Sequence, residues 1–262
     1  MLAAIMITVT NIYRHPVKSL TAEALLEAQL VPGRAIPNDR RFGLLLGSTP
    51  AAGAATEWMP KTKFLALVRN AKLAALETQF DDETDVLTVL RGGKQVACGK
   101  LTDRIGRISI EVFFAAYMGD EAKGRPKLVE AGGEHVLSDH KSPVISILNL
   151  ASVKDLERVT QKPVDPLRFR ANLWLDELEA WRELDWVGRD VKIGNVSLNV
   201  TQRINRCAAT SVNPQTAERD INVVKSLQRG FGHIDMGVFA RVATNGAIRQ
   251  GDEVSPCSST EN

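Results

Sequence analysis

Three cysteines in a chain of 262 residues are too few for much of the chemistry that cysteine supports. Cys98, Cys207 and Cys257 are odd in number and widely spaced, which is no disulfide framework and suits a reducing compartment. A plant-type iron–sulfur cluster needs four cysteines, so this chain cannot carry one alone. No CxxC pair, HExxH or paired-histidine spacing is present. His15, His135, His140 and His233 stand singly and read as surface or hydrogen-bonded residues. GxGxxG and GxxxxGKS/T are absent too, which leaves nucleotide binding without support. Aromatic residues amount to 5%, little for base stacking, and a net charge of +2 does not by itself imply nucleic acid or a membrane surface. The apolar stretch 1–9 lacks a basic region and falls short of a membrane span. These absences predict a soluble, cytoplasmic protein with no membrane span and no nucleic-acid partner.

Hydrophobic residues at 44% and charged residues at 24% allow a core of normal size. The length admits two subdomains or one large all-β unit. Residues 7–13 alternate as a strand and run into Pro16, which leaves Lys18 and Ser19 on a loop. Residues 25–31 read as a second strand, 42–46 as an apolar run and 47–56 as a flexible loop. Residues 65–78 mix helix and strand cues. Runs at 86–90 and 94–98 flank Gly92-Gly93 as a hairpin, and 108–114 is another β-rich run. A polar connector at 122–126 marks a candidate boundary.

Beyond it, 144–148 reads as a buried strand. Residues 152–159 read as a short helix with Ser152 and Asp155 at capping-box spacing. Residues 167–175 alternate as a strand through Arg168 and Arg170, and 181–200 gives two short strands around Gly194-Asn195. Residues 221–229 suit a helix closed by Gly230, and 238–242 with 247–249 form a hairpin across Asn245-Gly246. Many short strands, two or three helices and no repeat predict a mostly β, α+β architecture of barrel type rather than a doubly wound sheet.

The stretch 201–216 concentrates the reactive residues. Residues two apart in a strand share a face, so Arg203, Asn205 and Cys207 are expected to point one way and Arg206 the other. A cysteine beside two guanidiniums is the setting that favours a thiolate, which is both nucleophile and soft metal ligand. Local sequence alone favours a small buried hydrophobe, and the rest of the chain is what shifts the balance.

Six separated pieces occur in one order over almost the whole chain. They are His15-Pro-Val-Lys-Ser19, Asn38-Asp-Arg-Arg-Phe42, the segment 142–152, Phe169-Arg-Ala-Asn172, Arg206-Cys207 with Val212-Asn-Pro-Gln-Thr216, and Met236-Gly-Val-Phe239. Together they resemble the MOSC family, in its amidoxime-reducing branch of molybdenum enzymes. The first two resemble that family's N-terminal β-barrel domain and the other four the MOSC domain itself. The resemblance implies an N-terminal unit at 1–122 and a MOSC β-barrel domain at 123–257, with a molybdenum cofactor (Mo-molybdopterin) between them. It implies that Cys207 is the catalytic residue and the protein ligand to molybdenum, where a soft thiolate suits a soft, redox-active metal. It implies that Lys18, Ser19 and Arg40 hold the pterin and its phosphate, with Lys141, Ser142, Arg170, Asn205 and Arg206 contributing from the second unit. Charge-assisted bonds to phosphate are the strong ones.

The implied reaction removes oxygen from an N-hydroxylated or N-oxide small molecule. Its electrons come from a separate ferredoxin-, flavodoxin- or cytochrome-type protein with a reductase. Lys141 stands where amidoxime-reducing relatives have threonine, and Asn205 where they have serine. Both keep hydrogen-bond donors, so substrate shape and metal tuning are where a difference is expected.

Blander readings accompany these. Lys18 and Arg40 by themselves read as solvated charges, and Arg170 and Arg41 as halves of structural ion pairs. Trp174, Trp181 and Trp186 read as packing, and Cys98 and Cys257 as incidental. An alternative function is a carrier of molybdenum cofactor, or of persulfide sulfur on Cys207, without turnover. A metal-free cysteine enzyme ranks below both, since no general base stands at a fixed spacing from Cys207.

Overall fold

The computed structural model describes residues 6–51, 57–132 and 135–257. The first residues of the apolar N-terminal stretch, 1–5, and residues 52–56 of the expected loop lie outside them. Strand β1 (Thr8–Arg14) carries a bulge between Val9 and Asn11, which lets Val9 and Ile12 both reach the core. Strands β2 (Glu23–Leu25), β3 (Glu27–Leu30) and β4 (Phe42–Leu45) follow. An antiparallel meander comes next, made of β5 (Glu77–Asp81), β6 (Val86–Arg91) and β7 (Lys94–Lys100). Helix α1 (Arg104–Met118) leads to β8 (Lys127–Glu130), then β9 (Ile145–Asn149) and helix α2 (Leu150–Thr160). The remainder is β10 (Leu173–Asp176), β11 (Asp190–Ile193), β12 (Val196–Asn205), helix α3 (Val223–Phe231), β13 (Asp235–Val242), β14 (Gly246–Arg249) and β15 (Val254–Pro256). The fold is mostly β and of the α+β class that the strand pattern predicts.

Eight strands form one sheet in the order β15-β11-β12-β13-β9-β10-β1-β2. Its one parallel pair, β9–β10, is bridged by α2, the kind of crossover that parallel neighbours require. The start of the first strand also meets the segment leading into β15: Val9 N donates to Asp252 O at 3.0 Å and Val254 N to Ile7 O at 2.8 Å. Ile147, Leu173, Val191, Leu198, Val200 and Val238 are fully buried along this sheet. A second core gathers Phe42, Leu87, Val89, Ile110, Phe114 and Met118 between the meander, α1 and β4. Early and late segments exchange partners, with β1 on β10, β3 on β14 and β4 on β8. Residues from both ends of the sequence are thereby brought to one place.

Several local expectations change. The β-rich run 108–114 lies inside α1, because Asp103 caps the helix through Gly106 N at 2.8 Å. Ile110, Phe114 and Met118 then fall on one buried stripe that outweighs β propensity. The strand expected at 167–175 starts only at Leu173. Asp165 caps Leu167 N, Pro166 opens a short 3-10 turn, and Arg170 ends it in the left-handed region at φ 50. The hairpin expected across Asn245-Gly246 does not form, since β13 pairs with β12 and β9 while β14 crosses to β3. The run 25–31 divides between β2 and β3, in two different sheets. The run 181–186 is a 3-10 turn rather than a strand, although β11 and β12 do flank Gly194-Asn195. The cap of α2 is Asn149, while Ser152 donates its hydroxyl to buried Glu183 at 2.8 Å. Helix α3 closes at Gly232, not Gly230.

Candidate functional site

Two loops are zipped together by backbone hydrogen bonds that fix the first half of the site. His15 N donates to Asp39 Oδ1 at 2.8 Å, Arg40 N to His15 O at 2.7 Å and Lys18 N to Phe42 O at 2.8 Å. The two N-terminal motifs therefore form one structure. Ser19, Arg40 and Arg170 all sit at positive φ, at 68, 53 and 50. For non-glycine residues this is a sparsely populated region that costs on the order of 1–3 kcal/mol each and collects at ligand clamps.

His15 is fully buried, not a surface histidine. Burial, followed by the charges of Arg170 and Arg40, lowers its pKa to about 3, so it is neutral near pH 7. Burial raises the neighbouring Asp39 carboxyl, but Arg40 and His15 outweigh that and hold it below the usual range. Arg40 pairs with Asp39 and donates to Arg170 O at 2.8 Å. Lys18 is buried rather than solvated. Its Nζ donates to Leu137 O at 3.0 Å and to Asp139 Oδ1 at 2.6 Å.

Asp139 links Lys18 to the cysteine. Its other oxygen accepts from Lys61 Nζ at 2.9 Å, and Lys61 Nζ lies 3.3 Å from Cys207 Sγ. Burial lowers the Lys61 ammonium, but Asp139 and Cys207 outweigh it and raise the pKa. Cys207 follows a register shift between Arg203 and Asn205 and caps a short 3-10 turn at Ala208–Ser211. The simple alternation expected for Arg203, Asn205 and Cys207 therefore does not reach the cysteine. Asn205 donates to Asp235 across the strand pair. Arg206 turns inward onto backbone carbonyls, Nε to Met236 O at 2.8 Å and Nη1 to Phe169 O at 2.9 Å, and lies over the Phe169 ring. Gly237, beside it on β13, is required by the neighbouring strand β9: a Cβ there would sit 2.3 Å from Ile147 O, and its φ is +76.

These side chains border a cavity of about 320 Å³. Lys18, Arg40 and Lys61 reach it from the first half of the chain, and Arg168, Arg170, Arg203 and Arg206 from the second. Among the described lining residues Asp139 is the one carboxylate. Arg170 gives one hydrogen bond, Nη1 to Leu20 O at 2.7 Å, while its buried Nη2 has no partner among the described residues. A surplus of cations with an unpaired buried N–H fits a polyanionic, phosphate-bearing ligand. No group of three or more His, Cys, Asp or Glu side chains among the described residues could hold a metal ion. A metal held at Cys207 would therefore need further ligands beyond the described His, Cys, Asp and Glu side chains, such as the dithiolene of a cofactor. The residues fit molybdopterin.

Residues 133–255 match the family model of the MOSC domain. This segment is a MOSC domain. MOSC domains are associated with molybdenum-cofactor binding. The chain is also similar to mitochondrial amidoxime-reducing component 1 of Mus musculus, 27% identical over 155 residues. That match covers 55% of this chain and 45% of the curated relative, so it spans less than half of that relative's length. Among solved structures, the YuaD protein of Bacillus subtilis aligns over 95% of this chain and 94% of its own, at 12% identity and a TM-score of 0.42. YiiM of Geobacillus stearothermophilus aligns over 44% of this chain and 54% of its own, at 18% identity and a TM-score of 0.35.

The MOSC domain supplies Cys207, Arg206, Asn205 and Arg170 to the cavity wall, and the preceding residues supply Lys18, Ser19 and Arg40. Lys141 and Ser142 are not among the lining residues. Lys141 Nζ lies over Trp58 at 5.6 Å from the ring centroid, and the Ser142 hydroxyl accepts from Arg241 at 3.5 Å. His140 lines the cavity in their stead, and its Nδ1 accepts from Ser142 N at 3.1 Å. Lys61, Asp139 and Arg168 carry no local sequence signal, because tertiary placement alone brings them here. Arg41 pairs with Asp85 and Glu130, as an ion-pair reading has it. Trp174 and Trp186 are buried, and Trp181 packs on Phe231 with ring centroids 4.2 Å apart. Cys98 and Cys257 are exposed. Among the described residues no helix is long and apolar enough to cross a membrane.

Proposed function

We propose that this protein is a molybdenum cofactor-dependent oxidoreductase that removes oxygen from N-hydroxylated or N-oxide small molecules in the cytoplasm. The observation that carries the reading is Cys207 on the wall of a cavity rich in lysine and arginine, with one buried arginine N–H left unpaired. When bound, Mo-molybdopterin supplies a redox-active metal able to take oxygen from nitrogen. Cys207 is its protein ligand, and Lys18, Ser19, Arg40 and Arg170 hold the phosphate and pterin. Arg206 positions the cysteine by fixing the residue before it to Met236 and Phe169. Asn205, tied to Asp235, sets the end of β12. Lys141 and Ser142 act from behind the wall, Ser142 through the ring of His140. Lys61 Nζ is a proton-bearing group beside Sγ. The chamber then lies between a unit at 1–122 and a MOSC unit at 123–257.

For an amidoxime the net change breaks the N–O bond, takes up two electrons and two protons, and releases an amidine and water. The electrons come from a separate ferredoxin-, flavodoxin- or cytochrome-type protein with its reductase, since the sequence carries no nicotinamide or flavin motif. The test is protein produced in a host that makes molybdopterin, assayed with a reduced viologen donor on an aromatic amidoxime, a hydroxylamine and an N-oxide. Turnover by wild type and none by Cys207→Ser is the expected result. Failure of wild type on all three compounds would sink the substrate claim.

A further inference from the structure

A second chamber, of about 520 Å³, lies against the first, and the two share Ser19, Leu67, Arg168, Arg170 and Ala209 in their walls. Away from that shared wall its character changes. Leu20, Leu73, Leu76, Leu167 and Val212 give it an apolar lining, and Ala22 and Ala74 keep it open by being small. Glu77 is the one carboxylate among its described lining residues, and its side chain is exposed. An apolar space of this size with a few convergent polar groups at one end has the make-up of a small-molecule site.

The polar end has donors to spare. Arg168 gives Nη2 to Asp220 at 2.7 Å and Nη1 to Ser211 O at 3.4 Å, while its buried Nε has no partner among the described residues. Arg170 makes no ion pair with a carboxylate among those residues, so the shared wall carries a net positive charge. A buried donor without an acceptor is unfavourable, and a ligand oxygen relieves it. Arg168 Nε and Arg170 Nη2 are thus two unpartnered buried donors on the arginines of the wall that both chambers share.

We propose that the second chamber binds an amphiphilic organic anion, a carboxylate or phosphate ester with a hydrocarbon body. Its head lies on the Arg168–Arg170 wall and its body lies against Leu73, Leu76 and Leu167. The site is independent of the metal reading, because nothing in its lining requires Cys207 or a cofactor. Burial of the body sets a graded dependence on length, on the order of fourfold in affinity per methylene.

The test is calorimetric titration of the full-length, molybdenum-free protein with butanoate, octanoate, octyl phosphate and octanol. Octanoate or octyl phosphate is expected to bind one to one and roughly 100-fold or more tighter than butanoate, with octanol at least tenfold weaker than the better anion. The ratio between the two anions identifies the head group. Ala74→Phe and Ala22→Leu fill the chamber and should weaken binding tenfold or more, whereas Cys207→Ser should not. Four results overturn the proposal: no saturable binding, indifference to chain length, octanol binding as tightly as the anions, or loss of binding in Cys207→Ser alone. The length series needs no substitution, so it decides the matter even where a filled variant misfolds. Failure here leaves the amidoxime assay untouched, and failure there leaves this one untouched.

Discussion

Arg170→Met removes a buried guanidinium that has no carboxylate partner among the described residues, and it separates holding a ligand from holding the fold. Burial, then the charge of Arg40, pushes that guanidinium down to about 9, so the folded protein already works against the charge. The substitution forfeits one hydrogen bond to Leu20 O, roughly 1.5–3 kcal/mol for a charged donor. It relieves the desolvation of the ion, which is several kcal/mol. The left-handed φ of 50 is as strained for Met as for Arg, so the backbone contributes no difference. The balance lies between zero and roughly 2 kcal/mol of stabilisation, and the cofactor-free melting temperature should hold or rise by up to about 8 °C. Anion binding moves the other way. Losing one member of a buried charged pair removes about 2–5 kcal/mol, or roughly 30-fold and more in affinity. The assay is thermal unfolding of the cofactor-free protein beside pterin fluorescence after oxidative release from protein made in a molybdopterin-producing host. A melting temperature lowered by more than about 5 °C, with pterin content unchanged, would show that Arg170 serves the fold and refute the reasoning.

Other consequences follow from the same geometry. Gly237→Ala places a Cβ 2.3 Å from Ile147 O at φ +76, and left-handed strain plus overpacking should cost about 2–5 kcal/mol. A melting temperature indistinguishable from wild type would contradict the close approach of β13 to Ile147 O on β9. His15 takes up a proton in the unfolded chain near its ordinary 6.5 but in the folded protein only at about 3. Its contribution to stability is therefore complete above pH 6.5 and declines below, by about 1.4 kcal/mol per pH unit, roughly 2 kcal/mol by pH 5. Urea unfolding at pH 7 and pH 5 should show that loss in wild type and a flatter response in His15→Gln, and equal slopes in the two proteins would discount it.

The mostly β, α+β class was legible because hydrophobic alternation and turn residues report local geometry directly. The meander around Gly92-Gly93 shows this, as do β11 and β12 around Gly194-Asn195. Isoleucine and phenylalanine in α1 misled, because one capping aspartate and a stripe at helical spacing outweighed β propensity. Asn245-Gly246 misled for another reason: a turn signal gives the bend but not the partner, and β14 found β3 across more than 200 residues of chain. Of the candidate site residues, Lys18, Ser19, Arg40, Arg170, Asn205, Arg206 and Cys207 come together around one cavity. Lys141 and Ser142 fall just off it, one and two residues past His140. Lys61 and Asp139 were not legible, since a lysine in a short turn and an aspartate in a polar loop look like any solvated charges until the fold brings them together.

The most direct measurement is the molybdenum and pterin content of protein purified from a molybdopterin-producing host, wild type beside Cys207→Ser. About one molybdenum per chain in wild type, with the metal lost or inactive in the variant, is the expected result for a soft thiolate ligand. Pterin without tightly held metal would move the protein from enzyme to carrier. Neither metal nor pterin in wild type would contradict the central claim outright.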